Sequence, residues 1–436
     1  MYETALPEAT RRRVADLNPA GVVVGIPSYR NPKTIAAIVG AVGQALHQRF
    51  AGLDPVIVNV DGHSFDETLS IATKTRTPPS VRRVATRYLG LPGKGSALRA
   101  IFEIATQLQA RALLLVEADV VSFRPWWIER LLAPILARQA DVLLPAYVYQ
   151  QPIPFVSDVL VRPVIAGLFG IELSVPTPGE IAMAGSIAAY FADRDVWETD
   201  VARNGVDIWM IVEALAGDAR VARIPLELKR HRSPRSDDLR EAKFLQEVGT
   251  LFRLVYLQRR IWQQAISLQP VPLLPPEPMR SPAVEAYPRE WPSAAAIWEQ
   301  ARALFRPLVH HQWEQALLPP HLDAVEQILA SSHPRPGVFS DGLWARVVYD
   351  FITAYNKGEG DPDKVVLALY PLFLVRQATL IAEASTQTEY EAAIHKQAHA
   401  FVEKLSYFVQ RWERYISPEQ VALWRELGLL DSSDGL

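Results

Sequence analysis

The sequence has no cysteine and no marked excess of either charge, and each absence narrows the range of functions. Without cysteine there are no disulfides, thiolate metal sites or cysteine nucleophiles, a composition that fits a reducing cytosol. The chain has 45 lysines and arginines against 48 aspartates and glutamates, for a net charge of −3. This balance gives no general electrostatic reason to bind nucleic acid or anionic lipid. We therefore expect neither a nucleic-acid nor a membrane partner.

Long apolar segments are also missing from the sequence. The longest apolar run, 365–375, contains Pro371 and stops at Arg376, which makes it too short to span a bilayer. The polar N-terminal residues 1–13 contain no apolar segment of signal-peptide length. These features predict a soluble cytoplasmic protein.

The composition that remains is that of an ordinary globular protein. The 436 residues are 49% hydrophobic and 21% charged, and this length suggests two domains. Apolar runs at 21–26, 55–60, 81–85, 112–116 and 141–145 alternate with helical patterns at 34–46, 95–108 and 126–139. Continuously apolar strands separated by helices predict an α/β fold with a mostly parallel sheet.

The pattern changes beyond residue 237. A helical apolar face covers 244–255, and the eight prolines between 270 and 292 predict an extended connector. Aromatic residues at helical spacing follow, and we interpret them as core residues of a helical domain: Trp344, Phe351, Phe401 and Phe408. The predicted domains are therefore 1–265, the connector 266–292, and 293–436.

The first candidate site is Glu117-Ala118-Asp119, in which two carboxylates follow a predicted buried strand. Ligands bind at the carboxyl edge of open α/β sheets. Two acids with this spacing suit a hard divalent cation that bridges phosphate oxygens. A strand-to-loop exit, where acids simply meet solvent, gives the same pattern, so both interpretations stay open.

The second candidate site is Gly93-Lys94-Gly95, which opens a predicted helix. Backbone N–H groups at a helix N-terminus form an anion site together with an ammonium group. A helix-entry turn with a solvated lysine is an equally good interpretation. The polar residues 27–30 and Asp61 end the first two strands, so both loops should emerge at the edge that carries Asp119.

Three downstream residues complete the set of candidates. Glu180 follows a glycine, Asp207 stands in Gly-Val-Asp, and His231 lies among basic residues. Taken singly, these residue types are most often a surface acid, a helix cap and a solvated histidine.

In their order along the chain, these segments resemble retaining glycosyltransferases of the GT-A type, and more narrowly the mannosylglycerate, glucosylglycerate and glucosyl-3-phosphoglycerate synthases. The resemblance extends from about residue 21 to 240 and rests on the ordered set of motifs. It implies a mostly parallel nucleotide-binding sheet flanked by helices, followed by an α-helical C-terminal domain. It also implies metal-dependent transfer of glucose or mannose from a nucleotide-diphosphate sugar to glycerate or a close relative, as in compatible-solute synthesis.

The resemblance assigns roles by position. It implies that Asp119 and His231 bind the divalent cation, Mg²⁺ or Mn²⁺. Glu180 would face the donor sugar, Asp207 would lie near the reacting centre, and Lys94 would help to neutralise the departing diphosphate. The nucleotide-sugar would contact Pro27, Ser28, Tyr29, Arg30, Asp61, Gly93, Lys94, Glu117 and Ala118. Glu117 is a departure, because an aspartate begins the motif in the family, and we expect Glu117→Asp to be tolerated.

The acceptor region resembles the branch that uses phosphoglycerate. Ser157, Asp158 and Arg162 match its acceptor segment, and Arg162 would lie opposite the acceptor carboxylate. Phe155 stands where that branch has a basic residue, which favours plain glycerate over 3-phosphoglycerate.

Other functions also fit parts of the sequence. The first alternative is a glucosyl-3-phosphoglycerate synthase. A sugar-phosphate nucleotidyltransferase usually has a glycine-rich first loop, which residues 26–29 match poorly. A non-catalytic sugar-nucleotide binder would explain Glu117 as part of a decayed motif. UDP- and GDP-linked donors both fit, as do a monomer and a homodimer.

Overall fold

The computed structural model describes residues 3–149, 156–174, 176–232, 240–264, 267–275, 293–384 and 386–416, and these form two compact units. The first unit comprises 1–150, 177–237 and 271–288, and the second comprises 151–176, 238–270 and 289–436. The strands of the first unit are β1 (Val22–Ser28), β2 (Val56–Asp61), β3 (Arg82–Arg87), β4 (Ala112–Leu115), β5 (Val142–Tyr149), β7 (Ile181–Ala184) and β8 (Val221–Lys229). Its helices are α1 (Glu8–Ala15), α2 (Ile35–Phe50), α3 (Thr68–Lys74), α4 (Lys94–Gln107), α5 (Trp126–Leu136), α7 (Gly185–Ala192) and α8 (Val206–Ala216).

The seven strands form one sheet in the order β3-β2-β1-β4-β7-β5-β8. All neighbouring pairs are parallel except the two that involve β7, which runs antiparallel to β4 and β5. The strands β1, β2 and β4 are almost wholly buried, as expected for parallel strands covered on both faces. The predicted α/β class with a mostly parallel sheet is confirmed.

The parallel register brings the ends of several strands to one edge. Ser28 at the end of β1 pairs with Asp61 at the end of β2, and Gly25 pairs with Leu115 at the end of β4. The backbone N–H of Val116 then donates to the Gly25 carbonyl. Glu117 and Asp119 therefore leave the sheet beside the β1 and β2 loops, at the edge where α/β proteins bind ligands.

The second unit is predominantly helical. Its helices are α6 (Arg162–Phe169), α9 (Arg240–Leu257), α10 (Arg259–Trp262), α11 (Ala294–Ala303), α12 (Pro307–Ala316), α13 (Pro319–Leu329), α14 (Asp341–Lys357), α15 (Pro362–Glu383), α16 (Gln387–Glu403) and α17 (Leu405–Glu413). A π-helical turn, Ser157–Val161, precedes α6, and two short parallel strands pair beside it: β6 (Ile171–Glu172) and β9 (Gln269–Pro270). Pro270 is thus part of a strand, where the sequence predicted only an irregular connector.

The aromatic residues predicted to form the core of the helical region are fully buried. Trp344, Phe351, Phe401 and Phe408 have no exposed surface. The indole N–H of Trp344 donates to the Val159 carbonyl at 2.9 Å, so its polar atom has a partner.

Helix α15 is longer than the apolar run in the sequence suggested. It continues through Pro371 and Arg376, and it is long and apolar enough to cross a membrane by length and composition, with 89% of its apolar window buried. Arg376 lies in α15 and is fully buried. Its guanidinium donates to Gln397 at 2.7 Å and to the Phe339 carbonyl at 2.5 Å.

The two units differ from the predicted domains 1–265, 266–292 and 293–436. Residues 151–176 and 238–265 belong to the second unit. The reason is visible at α9, whose apolar face packs on the helical core: the Phe244 ring lies 4.9 Å from that of Tyr370 and 5.0 Å from that of Phe373. The helical unit is therefore assembled from three separate stretches of chain.

Candidate functional site

Three side chains that could hold a metal ion meet at the carboxyl edge of the sheet. Glu117, Asp119 and His231 each offer one ligand atom, and these atoms lie within 4.8 Å of one another. The imidazole Nδ1 of His231 is 3.4 Å from Asp119 Oδ1, and Nε2 is 3.8 Å from Glu117 Oε2. The structure thus brings together the two residues that the sequence analysis named as metal ligands, along with the first acid of their motif.

Backbone pairing beyond β8 places the histidine. His231 forms an antiparallel bridge with Val120. The N–H of Arg232 donates to the Asp119 carbonyl at 3.1 Å, and the N–H of Val121 donates to the Arg230 carbonyl at 2.9 Å. Two segments more than a hundred residues apart are therefore fixed side by side.

The three donor groups fit Mg²⁺ or Mn²⁺. Carboxylate oxygens suit both ions, and an imidazole nitrogen suits a transition-metal ion such as Mn²⁺; adjacent ligands in an octahedral shell lie about 3 Å apart. The side chains of Glu117 and Asp119 are each 23% exposed and that of His231 is 42% exposed. The group is therefore open to water and to a ligand on one side.

Lys94 and Asp207 form an ion pair beside this group. The ammonium of Lys94 donates to both carboxylate oxygens of Asp207, at 2.7 and 2.9 Å, and lies 3.4 Å from Glu117 Oε1. Lys94 begins α4, and Asp207 lies in the first turn of α8, where the helix dipole favours a carboxylate. Lys94 is thus already paired within the protein, which contradicts its interpretation as a solvated lysine.

The glycines that flank Lys94 allow close backbone packing. A Cβ at Gly95 would overlap the Val201 carbonyl oxygen, and one at Gly93 would lie 2.6 Å from Arg203 Cα. The N–H of Gly95 donates to the Arg203 carbonyl at 3.1 Å, and that of Gly93 donates to the Tyr88 hydroxyl at 2.8 Å. These two N–H groups therefore have partners in the protein, and the glycines bring α4 against the turn that precedes α8.

Lys229, which the sequence analysis did not assign to the site, is buried at its centre. Its ammonium donates to Glu117 Oε2 at 2.9 Å, to Glu180 Oε2 at 2.7 Å and to the Pro178 carbonyl at 2.5 Å. Glu180 has no exposed surface, and the Tyr147 hydroxyl also donates to it at 2.7 Å. A surface acid is therefore the wrong interpretation of Glu180.

The opposite charges in this cluster stabilise one another's ionised forms. Burial opposes ionisation of the Glu117 carboxyl, but Lys229, Lys94 and His231 outweigh it and hold its pKa well below the ordinary value. Burial likewise opposes a charged Lys94, but the carboxylates of Asp207 and Glu117 prevail and raise its pKa. Lys94 and Glu117 are thus both ionised at neutral pH.

The loops after β1 and β2 lie together at the same edge. Asp61 is fully buried, and its carboxylate accepts hydrogen bonds from the N–H and the hydroxyl of Ser64, both at 2.8 Å. Ser28 is buried beside it and donates to it at 3.4 Å. Tyr29 is 49% exposed, and the Arg30 guanidinium lies 5.1 Å from its ring centroid. An exposed ring beside a buried acid suits a nucleoside. Pro27 lies within β1, and Ala118 lies between Glu117 and Asp119 in the segment that follows β4.

The sequence-predicted acceptor residues belong to the second unit. Ser157 and Arg162 are buried, and Arg162 is paired with Glu172 at 3.7 Å. Burial raises the pKa of Asp158 to about 7, although Arg162 opposes the shift. Phe155, on which the preference for glycerate depends, lies outside the described residues.

A cavity of about 290 Å³ lies elsewhere in the first unit, lined by residues of α2, α3 and β3 such as Val39, Ala72 and Val84. None of the residues discussed above as candidate site residues lines it. The candidate site residues therefore lie at the carboxyl edge of the sheet, away from this cavity.

No protein-family model and no curated protein sequence matches the chain. Among solved structures, the chain is similar to glucosyl-3-phosphoglycerate synthase from Mycobacterium tuberculosis in complex with phosphoglyceric acid, with 21% identity and a TM-score of 0.42 over 57% of this chain and 82% of that one. It is also similar to the same enzyme in complex with Mg²⁺ and uridine-diphosphate, with 20% identity and a TM-score of 0.41 over 58% and 85%. Similarity at this level does not assign an activity.

Proposed function

We propose that this protein is a retaining, metal-dependent glycosyltransferase that moves a hexose from a nucleotide-diphosphate sugar to a small hydroxy acid. One observation carries the proposal: Asp119, His231, Lys94, Asp207 and Glu180 come together around Glu117 at the carboxyl edge of the sheet. These residues come from well-separated positions in the sequence, and a sheet edge of this kind is where α/β proteins bind nucleotides.

Asp119 and His231 would hold Mg²⁺ or Mn²⁺, with Glu117 beside them. When bound, the cation supplies positive charge that neutralises the departing diphosphate. Glu180 is held rigidly by Lys229 and Tyr147, which suits a role in orienting the donor sugar. Asp207 lies at a helix N-terminus and holds Lys94 next to the metal-binding group.

The charge balance of the cluster supports an absolute requirement for the cation. Two lysines, Lys94 and Lys229, face the carboxylates of Glu117, Glu180 and Asp207, and Asp119 adds a fourth carboxylate. The lysines therefore have no surplus positive charge to offer a diphosphate. Binding a diphosphate here without a divalent cation would bring like charges together in a partly buried site.

The acceptor in this proposal is glycerate, with 3-phosphoglycerate as the alternative. The choice of a carboxylate rests on the sequence resemblance, which matches Arg162 to the acceptor segment; in the structure its guanidinium is buried and faces Glu172 at 3.7 Å. A cytoplasmic location and a role in compatible-solute synthesis are part of the same proposal and rest on the sequence.

The experiment is a nucleotide-release assay over UDP- and GDP-linked glucose and mannose, with glycerate, 3-phosphoglycerate and glucosylglycerate as acceptors. We expect acceptor-dependent release of nucleoside diphosphate that stops with EDTA and returns with Mn²⁺ or Mg²⁺. His231→Ala should weaken the metal response by about two orders of magnitude, whereas His47→Ala, a change at an exposed histidine on α2, should leave it unchanged. Release of pyrophosphate would instead indicate a nucleotidyltransferase, and binding without release would indicate a non-catalytic binder.

A further inference from the structure

The contacts of Lys229 use its whole hydrogen-bonding capacity. An ammonium group has three N–H donors, and among the described residues three oxygen acceptors lie at hydrogen-bond distance from Lys229: Glu117 Oε2, Glu180 Oε2 and the Pro178 carbonyl. Only 2% of its side chain is exposed. The ammonium is therefore saturated by the protein and turned away from any ligand in solvent.

The three acceptors belong to two different parts of the chain. Glu117 leaves the end of β4, whereas Pro178 and Glu180 flank Gly179 just before β7. Glu180 is also tied to the first segment, because the N–H of Glu117 donates to its Oε1 at 3.3 Å. Lys229, which ends β8, thus holds the segment 178–180 to the start of the metal-binding motif.

The backbone of Gly179 lies against the Lys229 ammonium and the Glu117 carboxylate. Its φ of +88° lies in the left-handed region that favours glycine, and a Cβ there would lie 2.5 Å from both Lys229 Nζ and Glu117 Cδ. The backbone of residue 179 therefore packs directly on the Lys229–Glu117 ion pair. No larger residue fits this position without displacing one of the two charged groups.

We propose that Lys229 is a positioning residue, which fixes Glu180 for the donor sugar and Glu117 beside the metal-binding pair without itself contacting the nucleotide. The proposal rests on the proposed function and adds Lys229 to it, with a role different from that of Lys94. Lys94 is the more accessible of the two lysines, since 21% of its side chain is exposed against 2% for Lys229. Lys229 acts through the two glutamates.

The first test compares Lys229→Met with Lys74→Met, a change at an exposed lysine in the last turn of α3. For Lys229→Met we expect kcat to fall at least about a hundredfold, while the affinity for UDP at saturating Mn²⁺, measured by calorimetry, changes less than about threefold. Lys74→Met should match the wild type in both. A loss of UDP affinity as large as the loss of kcat would show a direct phosphate contact and overturn the proposal.

The second test is a double-variant cycle with Glu180→Gln, which also covers the case in which Lys229→Met fails to fold. Removing the lysine leaves buried carboxylates without their partner, whereas Lys229→Met/Glu180→Gln removes the fully buried one and leaves Glu117 paired with Lys94. We expect the double variant to melt at a higher temperature than Lys229→Met and to have a kcat no lower than Glu180→Gln. Losses of kcat that multiply in the double variant would refute a shared action.

The stability arm of this cycle does not depend on turnover. If no sugar nucleotide is consumed by the wild type, the proposed function fails while the coupling between Lys229 and Glu180 is still measured by thermal unfolding. Independent, additive destabilisation in that measurement would overturn the positioning role whatever the reaction is.

Discussion

Gly95→Ala and Gly40→Ala add the same methyl group, but we expect the first to destabilise the protein and the second to stabilise it. Gly40 lies within α2, and a Cβ there would meet nothing within 4 Å. Gly95 lies in the first turn of α4, where a Cβ would overlap the Val201 carbonyl oxygen and lie 2.7 Å from the carbonyl carbon of Ala202. The pair therefore isolates the effect of close backbone packing beside the candidate site.

The magnitudes follow from these surroundings. At Gly40, alanine removes the backbone-entropy cost of a helical glycine and should stabilise the protein by about 0.5–1 kcal/mol. At Gly95 the neighbours are backbone atoms that cannot rotate away, so overpacking should cost about 1–3 kcal/mol. Loss of the bond from Gly95 N–H to the Arg203 carbonyl would add about 1 kcal/mol. The two variants should thus differ by at least about 2 kcal/mol.

The assay is thermal unfolding of both variants, together with metal-dependent turnover at a temperature where both are folded. A shift of α4 away from residues 201–203 would stretch the contact between Lys94 and Asp207, so Gly95→Ala should lose activity as well as stability. Gly40→Ala should keep its activity. If Gly95→Ala proved as stable as Gly40→Ala, the close packing of α4 on residues 201–203 would be disproved.

Three other perturbations have defined outcomes. His231→Ala should stay folded, because the side chain is 42% exposed. It should lose about two orders of magnitude in turnover and in Mn²⁺ affinity, the latter measured by calorimetry. Unchanged metal dependence would exclude this histidine as a ligand. Glu117→Asp should lower turnover at least about tenfold, since it withdraws the carboxylate from Lys229, and wild-type kinetics would contradict this. Burial raises the pKa of Asp158 to about 7, so the folded protein keeps a proton that the unfolded chain releases near pH 4. Stability from this group therefore falls as pH rises from about 4 to 7. Asp158→Asn should raise the melting temperature more at pH 8 than at pH 5, and an equal change at both pH values would refute the shift.

Strands flanked by helices were predictable from the sequence, and strands without local signals were not. β1, β2 and β4 are continuous apolar runs between helical patterns, so their burial on both faces follows from composition. β7 is only four residues long, and an apolar run of that length is not distinguishable from part of a helix. Its insertion between β4 and β5 depends on long-range pairing, which no local pattern encodes.

The acids of the site were predictable because carboxyl ends of parallel strands share an edge, whereas the buried lysine was not. Lys229 begins a run of basic residues, 229–232, and such a run predicts side chains exposed to solvent. Along β8 the buried positions are Ala222, Ile224 and Leu226, a regular alternation that would expose residue 229. An irregularity in the pairing with β5, between Ala146 and Val148, shifts this register and turns Lys229 inward.

The length of the side chain at position 117 connects the sequence to the geometry. The motif that this segment resembles begins with an aspartate, and from the sequence alone a change of Glu117 to aspartate looks harmless because the charge is kept. In the folded protein, Glu117 reaches Lys229 with one oxygen at 2.9 Å and Lys94 with the other at 3.4 Å. Removing one methylene withdraws the carboxylate by about 1.5 Å, more than the slack in either contact. Lys229 would then keep Glu180 but lose its link to β4. The glutamate and the buried lysine are therefore a matched pair, and changing either alone should cost more than the chemical similarity of the residues suggests.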